Sequence, residues 1–368
     1  MRVVHLVPAL FGKGGIVGGA ERYAFELARA MADVVPTTLV TFGGADADDA
    51  AGPLRVRTLG RPWYVRGQRA NPVSRHLLGA LSGADVVHCH QQHVLASTLA
   101  AIWCRALGRR VFVSDLGGGG WDVSAYVSTD ALFHGHLHLS EYSRTVFGHA
   151  GNPRARVVGG GVDTRRFSPD ASVVRDGGPL FVGRLLPHKG LHDLIRGVPA
   201  DLPLTIVAPH PDPPVHRELT ALAESKCVRF AFDLSDDALV REYRRASSIV
   251  LPSVYRSAAG ETKVPELLGQ TLLEGMACET PAVCTDVASM PEVVEDRVSG
   301  FVVPANDPRA LGERLLWLHR HRAEGEAMGR AGRQRVQAQF TWPLVVERCL
   351  DAYRGAPVAD RALLVVAQ

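Results

Sequence analysis

The sequence predicts an α/β protein of two doubly wound domains, and three observations carry that expectation. Its 368 residues exceed what one hydrophobic core usually holds. Short β-branched runs alternate with amphipathic stretches in both halves, the pattern of a parallel sheet covered by helices on both faces. Between the halves lies GGGVDTRRFSPDASVVRDGG, residues 159–178, which is Gly-rich and polar, has no long apolar period and reads as a linker.

In order, the first domain (residues 1–160) runs VVHLV, a helix over 20–31, TTLVTF, VVH, VFVSD, LFHGHLHLS and ARVV. After a linker or hinge at 161–178, the second domain (179–343) runs PLFVGR, helix 190–197, LTIVA, helix 214–225, VRFAF, helix 236–245, SIVLPS, helix 270–278 and AVCTD. Each half is thus Rossmann-like. Two such domains are expected to face each other across a crevice at the carboxyl ends of their strands, where open α/β sheets bind ligands. The C-terminal helix, within 344–368, is expected to return to the first domain.

Composition narrows the partners. With 41 Lys and Arg against 38 Asp and Glu, the net charge of +3 is too small and scattered to argue for nucleic acid or an anionic membrane. The N-terminal MRVVHLVPALFGKGG carries one early Arg, is broken by His5 and Pro8, and is followed by no small-residue cleavage site, so a first strand is the better reading than a signal peptide. No run reaches the roughly 18 apolar residues of a membrane span. The six cysteines form no CxxC pair and sit mostly in apolar contexts, as reduced core thiols do, which points to the cytoplasm.

Three stretches carry the chemistry. In GKGGIVGGAERYAFELARAM, glycines 12, 14, 15, 18 and 19 follow a strand and open a helix, where backbone amides and the helix dipole receive phosphate. The dinucleotide fingerprint fits poorly there, because Val17 stands where a third glycine is needed. In FVGRLLPHKG, Gly183, Arg184 and Lys189 follow a strand, and the two cations suit a diphosphate. In VPELLGQTLLEGMACETP, Glu266 precedes a helix that opens near Gly269, and Glu274 lies inside it among apolar residues. A carboxylate so placed costs several kcal/mol unless hydrogen bonds hold it. With the amides of Gly269, Gln270 and Thr271 at the helix start, this suits a nucleoside-diphosphate sugar: amides for the phosphates, carboxylates for ribose and sugar hydroxyls.

On these residues the chain resembles glycosyltransferase family 4, retaining enzymes of the two-domain GT-B architecture. The pieces appear in order over nearly the whole chain: GGAERYAFELARAM, ADVVHCH, LSEYSRTVF, GGGVDTRRFSP, FVGRLLPHKG, DDALVREYRRASSIVLPS, the E-x7-E pair Glu266 and Glu274, and ASMPEVVEDRVSGFVVPANDP. The resemblance implies that Gly18 and Gly19 lie by the donor phosphates and that Arg184 and Lys189 neutralise the leaving diphosphate. It further implies that Glu266 holds sugar hydroxyls, that Glu274 accepts from the ribose, and that Gly269, Gln270 and Thr271 offer amides. It also implies front-face displacement, in which the departing phosphate oxygen helps deprotonate the acceptor, with neither cofactor nor metal.

One position departs from the pattern: VFVSDLGGGGWD has Leu116 where many relatives carry a histidine. Asp115 or Trp121 is the candidate replacement. His88, His90 and His93 in HCHQQH lack a regular further ligand, since Cys89 faces the other side of its strand, and the family's similar HxH favours a crevice-lining role over a metal site. Asp46, Asp48 and Asp49 in GGADADDAAG read as a solvated turn rather than a metal-binding DxD. An acceptor site is expected in the first domain, around Trp63 and Arg66 of RPWYVRGQRANPVSRH with Glu21, His93, Asp115 and Trp121. The expected function is hexosyl transfer from a nucleoside-diphosphate sugar to a small acceptor, in natural-product or cell-envelope glycoside biosynthesis. A nucleotide-sugar epimerase of the same architecture and a non-catalytic nucleotide-sugar binder are the alternatives.

Overall fold

The computed structural model describes residues 1–10, 19–117 and 126–355. Contacts divide the chain into two units, one of residues 1–161 with the segment from Trp342, the other of residues 162–341.

The first unit contains β1 (Val3–Leu10), α1 (Gly19–Ala32), β2 (Thr37–Gly43), β3 (Ala47–Ala51), β4 (Leu54–Gly60), β5 (Trp63–Tyr64), β6 (Pro72–Val73) and α2 (Leu77–Leu81). It continues with β7 (Val86–Cys89), α3 (Leu95–Ala106), β8 (Arg110–Val113), β9 (Gly135–His138), α4 (Glu141–Val146) and β10 (Ala155–Val157). Its 8-stranded sheet has the order β10-β9-β8-β7-β1-β2-β4-β3, so the winding direction reverses between β1 and β7. Every pairing is parallel except that of β3 with β4. The strands are buried on both faces, as a parallel sheet covered by helices requires: on one face Val4, Leu6, Val87, Cys89, Val111 and Val113 join Ala96, Ala100 and Cys104 of α3 in one core, and on the other His5 and His88 are buried. On α1, Tyr23, Ala24, Leu27, Ala28 and Met31 recur at helical spacing and are all buried.

The second unit contains β11 (Pro179–Val182), α5 (Leu191–Gly197), β12 (Leu204–Ala208), α6 (Pro213–Leu222), β13 (Val228–Phe232), α7 (Asp236–Arg245), β14 (Ser248–Leu251), β15 (Arg256–Ser257) and β16 (Gly260–Glu261). Then follow α8 (Gln270–Ala277), β17 (Ala282–Thr285), α9 (Met290–Val293), β18 (Gly300–Val303), α10 (Pro308–Arg320) and α11 (Arg322–Gln339). Its 6-stranded sheet is wholly parallel, in the order β13-β12-β11-β14-β17-β18, and reverses between β11 and β14. The last helix, α12 (Trp342–Arg354), belongs to the first unit, where it packs on α1.

Several expectations need correction. The segment 161–178 is not a free linker: from Val162 it is built into the second unit, with the Phe167 ring edge-on to Tyr243 and the Arg175 guanidinium donating to Thr280 Oγ1 and to the carbonyls of Ala246 and Cys278. Asp48 and Asp49 do not lie in a turn but in edge strand β3, where Asp48 pairs with Arg55 of β4; cross-strand pairing overrides the turn-forming composition. Asp46 precedes that strand and accepts the Gly60 amide at 2.9 Å. Helix α6 ends at Leu222 rather than 225. Five of the six cysteines are buried, Cys227 is exposed, and none is paired. Among the described residues no helix is long and apolar enough to cross a membrane.

Candidate functional site

The strongest constellation stands at the reversal point of the second sheet. The chain leaves β11 through Gly183 and Arg184, makes a 3-10 turn over Pro187–Lys189, and enters α5 through Gly190. Gly190 has φ 68°, and a Cβ there would lie 1.8 Å from the carbonyl oxygen of Pro252, just after β14. Only glycine lets these two loops approach so closely. The Val254 amide donates to the His188 carbonyl at 2.8 Å and ties the same loops together. The basic turn is therefore fixed against the loop that follows the neighbouring strand.

That arrangement brings Lys189 and Glu266 into an ion pair in which the ammonium donates to Glu266 Oε1, and Ser253 Oγ donates to the same oxygen at 3.0 Å. The two side chains are only 17% and 10% exposed, so the pair is little screened by water. Burial and the Lys189 cation both depress the pKa of neighbouring His188. Arg184, by contrast, is exposed, and its side chain has no partner among the described residues.

Helix α8 opens at Gly269, whose φ of 78° is left-handed, and no side chain caps it. The Leu272 amide donates to the Gly269 carbonyl at 3.0 Å, whereas the amides at the very start of a helix have no intrahelical acceptor. The helix lies close on β14, where a Cβ on Gly275 would meet Ile249 Cγ2 at 2.6 Å. Glu274 is 4% exposed, and its Oε2 accepts from the Tyr243 hydroxyl at 2.7 Å. Tyr243 is anchored in turn by Thr280 Oγ1, which donates to its carbonyl at 2.6 Å. The buried carboxylate is thus a held acceptor rather than a surface glutamate.

In the first unit, Gly19 is exposed at the head of α1 and Glu21 is half-buried in its first turn. His93 Nε2 stands 3.8 Å from Asp115 Oδ2. Burial raises the Asp115 pKa, while the Gly117 amide at 2.9 Å and the nearby His93 and His149 oppose the rise. Leu116 beside it is buried. Trp63 is 61% exposed on the β5–β6 hairpin, and Arg66 follows in a 3-10 turn with φ 50°. Gly18 and Trp121 lie outside the described residues.

His88 and His90 do share one face of β7 and its continuation, but they meet His5 of β1 in a buried cluster. His5 Nδ1 and His90 Nε2 are 2.8 Å apart, and His88 hydrogen-bonds Ser114 Oγ at 2.9 Å and the Tyr353 hydroxyl at 2.7 Å. Ser253 and Tyr243, which hold the carboxylates of Glu266 and Glu274, are residues the sequence reading missed. Both stand inside DDALVREYRRASSIVLPS, and a hydroxyl directly after a buried strand at a reversal point was the available signal for Ser253.

Two doubly wound units, with a paired cation and carboxylate at one reversal point and a carboxylate buried in the adjoining helix, define a GT-B protein. The description "Glycosyltransferase Family 4" matches residues 17–166, and "Glycosyl transferases group 1" matches residues 178–335. An alpha-maltose-1-phosphate synthase of Mycobacterium tuberculosis is 29% identical over 76% of this chain and 81% of its own. A GDP-mannose-dependent alpha-(1-6)-phosphatidylinositol monomannoside mannosyltransferase of the same organism is 27% identical over 94% and 96%. Among solved structures, the sucrose-phosphate synthase of Thermosynechococcus elongatus superposes with a TM-score of 0.73 at 19% identity, covering 96% of this chain and 99% of its own. Anabaena HepE, solved with UDP and glucose, gives 0.73 at 17% identity over 96% and 100%. The chain belongs to glycosyltransferase family 4, a retaining family of GT-B fold that moves hexosyl groups from nucleotide sugars.

Proposed function

We propose that this glycosyltransferase passes a hexose from a nucleoside diphosphate to a small-molecule acceptor, in natural-product or cell-envelope glycoside biosynthesis. The observation that carries the reading is the Lys189–Glu266–Ser253 cluster at the reversal point of the second sheet, the place where open α/β sheets bind ligands. In the transfer, the bond between the anomeric carbon and the diphosphate oxygen breaks, a bond to the acceptor oxygen forms on the same face, and the acceptor's proton passes to the departing phosphate. Lys189 and Arg184 balance the charge that grows on the diphosphate, the kind of preorganised electrostatics that usually contributes most to catalysis. Glu266 accepts from donor-sugar hydroxyls, with Ser253 orienting its carboxylate. Glu274 accepts from the ribose, and Gly269, Gln270 and Thr271 present amides to the phosphates, as do Gly18 and Gly19. Glu21, Trp63, Arg66, His93, Asp115 and Trp121 are assigned to the acceptor. The names of the relatives support the reading, since they include a sugar-phosphate synthase and a mannosyltransferase acting on a phosphatidylinositol mannoside.

Thermal-shift titration with UDP, GDP, ADP and dTDP tests the donor site, because a ligand that binds only the native state raises its apparent stability. One nucleotide is expected to stabilise the wild type and to lose that effect in Glu274→Ala. No shift with any of the four would overturn the assignment.

A further inference from the structure

A second constellation, in the first unit, contains none of the residues assigned to the transfer. Asp130 stands in a 3-10 turn (Asp130–Leu132), His136 lies on β9, and His149 follows α4. Each offers a ligand atom, and these atoms all lie within 4.8 Å of one another. We propose that Asp130, His136 and His149 form a binding site for a divalent transition-metal ion, zinc being the best match to two imidazoles and one carboxylate.

The argument rests on how each side chain is held. A metal-ligating histidine usually presents one ring nitrogen to the ion and donates its other N–H to a carbonyl, carboxylate or similar acceptor, which fixes the ring. His136 is 1% exposed; its Nε2 has no hydrogen-bond partner, and the ring meets the backbone of Asp130 through the other nitrogen. His149 is hydrogen-bonded through Nδ1 to His138 Nε2 at 3.0 Å, which leaves Nε2 pointing to Asp130 Oδ2 at 3.5 Å. Gln92 Nε2 donates to Asp130 Oδ1 and so holds the carboxylate with its second oxygen toward His149. Two ligands about 2.0–2.1 Å from a tetrahedral zinc stand roughly 3.3 Å apart, so the Asp130–His149 separation needs little adjustment. A plain Asp130–His149 ion pair accounts for that contact, but it leaves the buried Nε2 of His136 unexplained, and an unmade hydrogen bond there is costly.

The ligand types select the ion. Imidazole nitrogens suit zinc and its neighbours, whereas magnesium and calcium prefer oxygen alone. The carboxylate offsets part of the cation's charge, and it is 40% exposed, which gives the ion a path from solvent. The other histidine cluster shares the unpartnered ring nitrogens, at His5 Nε2 and His90 Nδ1, and differs in its charge and its access. Its members His5, His88 and His90 also lie within 4.8 Å, but they include no carboxylate, both nitrogens of His88 are engaged, and His5 and His90 bond each other. A bound ion at Asp130 would tie together the 3-10 turn, β9 and the segment after α4, three pieces otherwise joined along one edge of the sheet.

The test uses tag-free, full-length protein stripped with EDTA, re-equilibrated with zinc chloride and freed of excess, with bound metal counted by mass spectrometry. One zinc per chain is expected, with magnesium giving none. Cobalt in place of zinc should give the visible absorption of a nitrogen- and oxygen-ligated ion. Asp130→Asn, at a partly exposed position that keeps the contact with Gln92, and His149→Gln should each weaken zinc binding by more than about 100-fold, beyond the usual cost of losing an outer-shell partner alone. His5→Gln should bind as the wild type does. Circular dichroism checks each variant, and Asp130→Asn decides if a histidine variant fails to fold. No retained zinc in the wild type, zinc bound by Asp130→Asn with wild-type affinity, or loss of zinc on replacing His5 alone would overturn the proposal.

Discussion

At the scale of single residues, the cation of Lys189 has one strong partner, Glu266, and in the proposed reaction it would also face the diphosphate. Removing a preorganised charge of this kind typically lowers turnover by about 10²–10³-fold. Lys189→Ala is accordingly expected to lose that factor in kcat while remaining folded, with a lowered melting temperature because Glu266 keeps only Ser253 as a partner among those described; unaltered kinetics would remove Lys189 from the mechanism. Glu274→Ala removes the Glu274 acceptor from the buried Tyr243 hydroxyl and should cost about 1–3 kcal/mol in urea unfolding, whereas Glu274→Gln keeps an oxygen for that bond and should cost less. The buried histidines give a pH dependence. Burial holds His5 at about 3, and His88 and His90 lie well below the ordinary 6.5, each also lowered by neighbouring imidazoles. As the pH falls through the 6.5 of the unfolded chain, the unfolded state takes up protons that the folded state refuses. Stability is thus present above that value and lost on acidification, at up to about 1.4 kcal/mol per pH unit for each ring. Urea midpoints measured between about pH 7.5 and about pH 5 should fall steeply, and less so in His5→Gln. Glu274 was legible in sequence because a charge stood among apolar residues of a helix, and Lys189 and Glu266 because they stand in loops, the one after a strand and the other before that helix. Tyr243 was not, because its partner lies on another helix.

At the scale of elements, most of the buried strands and half of the described α-helices were legible, since each carries an unbroken apolar run or a helical stripe, whereas α3, α10 and α11 went unread. The strand β4 escaped notice because Arg55 and Arg57 alternate with Leu54 and Val56, as suits a strand near the sheet edge, and Gly300–Val303 was overlooked because the run is short. Turns were legible only as composition, not as geometry, and Gly190 shows what that misses. Its left-handed φ alone costs a non-glycine residue about 1–2 kcal/mol, and the Pro252 carbonyl occupies the place of a Cβ. Gly190→Ala is therefore expected to destabilise the second unit by about 3 kcal/mol or more and to weaken nucleotide stabilisation by displacing Lys189. A wild-type urea midpoint in that variant would show that the two loops part more readily than their packing indicates.

At the scale of the whole molecule, among the described residues the first unit is discontinuous in sequence and the second is one continuous stretch. The C-terminal helix supplies groups the first unit cannot replace: the Tyr353 hydroxyl for His88, the Tyr353 carbonyl for the Arg110 guanidinium, and a Trp342 ring so close to Gly161 that a Cβ there would meet it at 2.5 Å. Tyr353→Phe should cost about 1–3 kcal/mol, read in the thermal transition of the full chain, because His88 loses a buried partner. The apolar face of α12 made its docking legible in TWPLVVERCLDAYR, while the buried partners waiting for Tyr353 were legible only in three dimensions. The order of synthesis follows from this connectivity. A ribosome delivers every described residue of the second unit before the first unit receives its closing helix, so the nascent N-terminal sheet spends much of translation with the α12 side of α1 uncovered. A chain cut short near residue 341 would lack that helix and is expected to leave exposed the face of α1 on which it packs.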